Sequence, residues 1–159
     1  MRMKKKTIEL HYSEGDQITD LSVENQQLVH ETILFAANAY APYSHFPVSA
    51  CLRLDDGQII KGANVENGSF PVSICAERTL LSHTVSNYPD KKIKTMAIYV
   101  DKAVGEPVPP CGLCRQTLLE VELRQQSPIQ LILVAKEGHY LLFDRSSDLL
   151  PLYFDGSVL

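Results

Sequence analysis

No stretch of this chain approaches the ~20 consecutive apolar residues that a membrane helix needs, and no apolar leader core follows Lys4, Lys5 and Lys6. The protein is therefore expected to be cytoplasmic, where thiols are kept reduced, and not to engage a membrane. Basic charge is not in surplus either. Fifteen Lys and Arg face nineteen Asp and Glu, a net charge of −4, which argues against a broad nucleic-acid surface. The lysine run at 4–6 has nothing basic beside it and reads as a solvated tail. Internal repeats, low-complexity stretches and domain-dividing linkers are all lacking. His11, His30, His45, His83 and His139 form no spaced pair of ligands, so each reads as surface or packing.

What is there fits one domain. A chain of 159 residues, 45% apolar and 21% charged, can bury a single core without staples. Residues 1–21 are weakly patterned and read as an N-terminal arm or short extra strand, leaving a single domain over 22–159. Ser22 suits the N-cap of a helix running to about Tyr40, with Val29, Ile33, Ala36 and Ala37 on one face and Pro42 ending it. Phe46–Arg53 and Gln58–Ala63 read as a hairpin turned at Asp55-Asp56-Gly57. A second helix is expected from Ser73 or Cys75 to about Asn87, and a third from Cys111 to about Gln125. Strands are expected at Lys94–Val100, Ile129–Ala135 and Tyr140–Phe143, with a proline-rich loop over Gly105–Pro110. Helices between strands imply a partly parallel sheet covered on both faces. The expected fold is thus α/β, a three-layer α/β/α sandwich with a mixed five-stranded sheet.

Without an oxidising compartment, the four cysteines read as metal-binding or catalytic rather than as disulfides. Cys75 opens the second helix within Val72-Ser73-Ile74-Cys75-Ala76-Glu77-Arg78. Cys111 and Cys114 open the third within Pro109-Pro110-Cys111-Gly112-Leu113-Cys114-Arg115-Gln116. Cysteines three apart on a first helical turn share a face and can reach one ion. Three thiolates with one open position describe a catalytic zinc site. Helix N-termini direct N–H groups and the positive dipole end at the sulfurs, which favours thiolates.

Zinc with three thiolates carries a formal −1 charge. Arg78, one turn beyond Cys75, is positioned to offset it, with Arg115 and Gln116 as further candidates. Glu77 is two residues from Cys75 and faces elsewhere, so it belongs beside the metal as a proton carrier. Taken singly, Cys111-x-x-Cys114 would also suit a redox dithiol. A structural zinc knot would need a fourth ligand such as Cys51 or His83, although Cys51 on a strand reads as a small core side chain.

At these residues the chain resembles the cytidine deaminases of the small, three-cysteine, homotetrameric type, over roughly residues 23–159. The resemblance rests on Ala39-Tyr40-Ala41-Pro42-Tyr43-Ser44-His45-Phe46-Pro47-Val48, Asn64-Val65-Glu66-Asn67, Cys75-Ala76-Glu77-Arg78, Pro110-Cys111-Gly112-Leu113-Cys114-Arg115-Gln116 and Leu149-Leu150-Pro151. Zinc deaminases as a class pair a non-ligand Glu with a Pro-Cys-x-x-Cys segment. The resemblance implies zinc on Cys75, Cys111 and Cys114, Glu77 as the catalytic proton shuttle, and conversion of cytidine and deoxycytidine to uridine and deoxyuridine with release of ammonia. It also implies that the Ala76 N–H contacts the pyrimidine, that Phe46 packs on the base, and that Asn64 and Glu66 hold a ribose hydroxyl. Phe154 is implied to reach a neighbour's site in a homotetramer with shared active sites. Ser49, Cys51, Leu113, Phe70-Pro71 and Asp155-Gly156 depart from the family pattern without touching an expected ligand. A blasticidin-type deaminase shares the zinc motifs, but Leu-Leu-Pro-x-x-Phe at 149–154 favours the nucleoside enzyme.

Overall fold

Apolar side chains along the central strands alternate between two cores, as a pleated sheet buried on both faces requires. The computed structural model describes residues 3–158. Residues 1–2 of the expected arm and residue 159 of the expected domain lie outside that range. In chain order the elements are β1 (Ser13–Gly15), α1 (Val23–Phe35), β2 (Val48–Leu54), β3 (Ile59–Ala63), α2 (Ala76–Asn87), β4 (Ile93–Val100), α3 (Gly112–Gln125), β5 (Gln130–Val134) and β6 (Tyr140–Phe143), joined by short 3-10 turns.

The strands form one mixed sheet in the order β1-β6-β5-β4-β2-β3. Only β4 and β5 run parallel, because α3 carries the chain back across the sheet between them; the other neighbours are antiparallel. On one face Ala50, Leu52, Met96, Ile98, Leu131 and Leu133 pack with Leu80, Leu81 and Leu118 of α2 and α3. On the other, Cys51, Ala97, Tyr99, Ile132 and Val134 meet Leu28 and Val29 of α1. The three-layer α/β/α sandwich is as expected, and Cys51 is a fully buried core residue.

Two expectations need correction. The sheet has six strands among the described residues, not five. The additional one comes from the arm, where Ser13–Gly15 pairs antiparallel with Tyr140–Leu142 and covers the open edge of β6. Helix α1 begins as expected, with the Ser22 side chain accepting from the Asn25 amide at 3.3 Å, but it stops at Phe35 and tightens into a 3-10 turn over Ala36–Asn38. Tyr40 is unavailable to a helix because its backbone joins a ladder. Its N–H donates to the Asn64 carbonyl at 3.0 Å, and its carbonyl accepts from the Glu66 amide at 2.8 Å. That ladder brings residues 40–48 over the ends of β3 and α2, where the expected site residues lie.

Candidate metal centre and active site

The extended segments leading into α2 and α3 turn helical at a cysteine in each case. Cys75 is the N-cap residue of α2 and Cys111 that of α3, both in extended backbone, and Cys114 follows on the first turn of α3. The ligand atoms of Cys75, Cys111 and Cys114 lie within 4.8 Å of one another, with the Cys111 and Cys114 sulfurs 3.5 Å apart. Sulfurs around a tetrahedral zinc at Zn–S ~2.3 Å stand about 3.8 Å apart, so the trio fits that ion. Among the described residues no fourth His, Cys, Asp or Glu joins the cluster; Cys51 and His83 are not part of it.

The thiols and Glu77 also act on one another. Burial pushes the Cys75 thiol up, and neighbouring Glu77 adds to this. Burial likewise pushes Cys114 up, with Glu77 and Cys75 reinforcing it. Burial works against ionisation of Cys111 too, yet its thiol is held below the usual range because the amides of Cys114 and Leu113 point at it. This is the helix N-terminus acting on the sulfur that caps it. Glu77 is only 5% exposed, and burial raises its carboxyl. The Arg78 side chain makes no hydrogen bond or ion pair among the described residues. Arg115 and Gln116 turn away from the sulfurs, donating to the Pro110 and Leu149 carbonyls and to the Phe154 carbonyl respectively.

A cavity of about 530 Å³ opens beside the cluster, and Phe46, Asn64, Glu66, Cys75, Ala76, Glu77 and Cys111 all line it. Cys114 is fully buried behind them. Phe154 does not line the cavity of its own chain and is 63% exposed. Asn64 and Glu66 do share a side, as their spacing requires, but both already hold the loop that carries Phe46. The Asn64 oxygen accepts from the Val48 amide at 2.9 Å, and its nitrogen donates to the Phe46 carbonyl at 3.0 Å, bridging Pro47. Glu66 accepts from the Tyr43 and Ser44 amides at 2.9 and 3.2 Å and from the Ser44 hydroxyl. The Ser44 hydroxyl is the main reason its carboxyl sits below the ordinary carboxylate range. Ser44 lines the cavity as well, as do Val108 and Pro109. Ser44 stands in the segment leading to Phe46, but its role as the Glu66 partner has no signal in the local pattern, since the two are 22 residues apart.

An α/β/α sandwich with three convergent thiols and a buried carboxylate at two helix starts defines a metal-binding deaminase class. The family model for the cytidine and deoxycytidylate deaminase zinc-binding region matches residues 22–127. A cytidine deaminase from Halalkalibacterium halodurans is 42% identical over 99 residues, covering 62% of this chain and 73% of its own. One from Mycoplasma genitalium is 35% identical over 100 residues, covering 63% and 75%. Among solved structures, cytidine deaminase from Burkholderia pseudomallei is similar at a TM-score of 0.71 and 31% identity, over 80% of this chain and 97% of its own. The Mycobacterium tuberculosis enzyme matches at a TM-score of 0.65 and 30% identity, over 84% and 99%. This chain belongs to the cytidine and deoxycytidylate deaminase family, and zinc is the metal its cysteine trio fits.

Proposed function

We propose that the protein hydrolyses cytidine and deoxycytidine to uridine and deoxyuridine, one water entering and one ammonia leaving. The observation that carries this reading is the buried Glu77 carboxylate lining the same cavity as Cys75 and Cys111. The relatives' activity as cytidine deaminases supports it.

Zinc held by Cys75, Cys111 and Cys114 would supply Lewis-acid activation of water in the cavity. Glu77 is the proton carrier. It takes a proton from the attacking water and gives it to the ring nitrogen N3, then takes the proton of the new C4 hydroxyl and delivers it to the departing C4 amine. Its burial raises the carboxyl above the ordinary carboxylate range, which favours holding the proton between the two transfers. The Ala76 N–H meets the pyrimidine, Phe46 packs on the base, and Asn64 and Glu66 hold a ribose hydroxyl. Since Asn64 and Glu66 also fix residues 43–48, a sugar bound there is sensed by the wall that carries Phe46. Arg78 supplies positive charge to the thiolates through space.

The finer reading includes assembly. Phe154 reaches a neighbouring subunit's site in a homotetramer, and the protein works in the cytoplasm; among the described residues no helix is long and apolar enough to cross a membrane. The test is the fall in ultraviolet absorbance when zinc-loaded protein is incubated with cytidine, deoxycytidine, cytidylate and blasticidin S. Turnover of the two nucleosides is expected. Turnover of blasticidin S alone, or of none of the four, overturns the proposal.

A further inference from the structure

Helix α3 faces two ways. Its first turn carries two of the three thiols, and its polar side chains hold the C-terminal segment. Glu122 is 5% exposed, and its carboxylate accepts four hydrogen bonds. They come from the amides of Ile129 (2.8 Å), Ser146 (2.9 Å) and Ser147 (3.3 Å) and from the Ser146 hydroxyl (2.9 Å). With its lone pairs satisfied this way, a buried carboxylate anchors the chain that enters at Ser146. Three residues on, Leu149 is buried in the core, so its carbonyl is a fixed point.

Arg115 connects that fixed point to the metal centre. Its Nε donates to the Pro110 carbonyl at 2.8 Å, and a terminal nitrogen donates to the Leu149 carbonyl at 3.0 Å. No carboxylate pairs with it among the described residues. The rigid fork of a guanidinium can satisfy two acceptors at once, which a lysine cannot. The Pro110 carbonyl belongs to the peptide plane that delivers Cys111, and the Arg115 amide holds the other side of the same residue by donating to the Cys111 carbonyl at 3.0 Å. Cys111 is an exposed ligand at the end of a proline-rich loop; Pro110 before it is buried, and the Arg115 bond adds a directional hold on the plane between them.

We propose that Arg115 is a positioning residue that sets the Pro110–Cys111 peptide plane against the anchored C-terminal segment and so holds Cys111 in place for zinc. The inference rests on the zinc reading of the cysteine trio, and it gives Arg115 a role through carbonyls rather than through the thiolates themselves.

The test compares full-length wild type with Arg115→Lys and Arg115→Gln by metal binding, without reference to turnover. Zinc affinity is measured by competition with a chromophoric chelator, and site geometry by the absorption of the cobalt-substituted protein. Loss of the fork is expected to weaken zinc binding about 10-fold, the low end for removing a partner that orients a ligand, and to shift the cobalt bands in both variants. Arg115→Lys keeps the cation and most of the volume, so it reports even where Arg115→Gln folds poorly. Wild-type affinity and an unshifted cobalt spectrum in Arg115→Lys, with only a lowered melting temperature, would reduce Arg115 to a structural tie and overturn the proposal. A wild-type protein that takes up no zinc overturns the metal reading itself, and the two failures are thereby distinguished.

Discussion

Gly62 on β3 lies directly under Leu80 of α2: a Cβ at position 62 would sit 2.8 Å from the Leu80 Cβ and 3.1 Å from the Ala76 carbonyl oxygen. The contact sets how closely α2 lies on the sheet, and α2 begins at Cys75 and carries Glu77 on its first turn. Gly62→Ala is therefore expected to push the helix outward, destabilising the fold by about 1–3 kcal/mol as overpacking does, and to weaken zinc binding. Urea denaturation and chelator competition measure the two effects. Gly156→Ala is the control, since nothing lies within 4 Å of a Cβ there.

Ligand and proton carrier are separable by substitution. Cys111→Ala should abolish tight zinc binding, read as metal content after dialysis. Glu77→Gln should retain zinc and fold yet lose at least about a hundredfold in kcat, the low end for a general acid–base group. Zinc lost from Glu77→Gln would make the carboxylate a ligand instead. Near-wild-type turnover would assign the proton transfers to another residue.

Much of this was legible in the chain, for reasons that vary by residue. The thiols were readable because Cys111 and Cys114, three apart at a helix start, share a face and Cys75 opens a second helix, and the central strands because their apolar character is continuous. The sixth strand stood only as one of two readings of residues 1–21, because Ser13–Gly15 is three residues long and has no alternation to place it. Ser44 escaped because its partner Glu66 is 22 residues away, across the β2–β3 hairpin that folds the intervening chain back. Arg115 read as a neighbour of the thiolates on spacing alone. Its true acceptors are backbone carbonyls, one of them 34 residues downstream, and no residue pattern encodes that.

His139 links the arm to the loop that leads to Cys111, and the link depends on pH. One ring nitrogen meets the Gly105 carbonyl and the other the Glu14 carboxylate, each at 2.9 Å, with Glu106 3.8 Å away and Glu137 holding the Gly105 amide. The Gly105 carbonyl first, then Glu14 and Glu106, raise the His139 pKa. A raised folded-state value means the stabilisation is complete below the ordinary value of about 6.5 and is lost as pH rises through the folded one. Hydrogen-exchange protection factors of the Ser13–Gly15 amides should accordingly fall as pH increases through that window. His139→Gln should remove the dependence, and a wild-type protein with pH-independent protection there would remove His139 from the latch.

The C-terminal segment offers the sharpest test of assembly. Leu149 is 6% exposed, whereas Leu152 and Phe154 beyond it are 92% and 63% exposed, so the apolar chain leaves its own core within three residues. Gln116 holds the Phe154 carbonyl at 3.0 Å, which presents the ring outward on the face of α3 that starts at the metal centre. An apolar stretch displayed this way suits contact with a second subunit. Truncation after Leu150 keeps Leu149, the Glu122 anchor and the Arg115 bridge, so the fold and the zinc should survive. Burial of a phenylalanine side chain is worth about 1.5–3 kcal/mol. If Phe154 covers the base in a neighbour's site, its removal should therefore raise KM by roughly tenfold to a hundredfold. Sedimentation should show a looser assembly, and dilution of the intact protein should lower specific activity as subunits separate. A truncated protein that sediments as a monomer and keeps its KM would place each pocket within one chain and leave the chemistry of Glu77 and the three cysteines untouched.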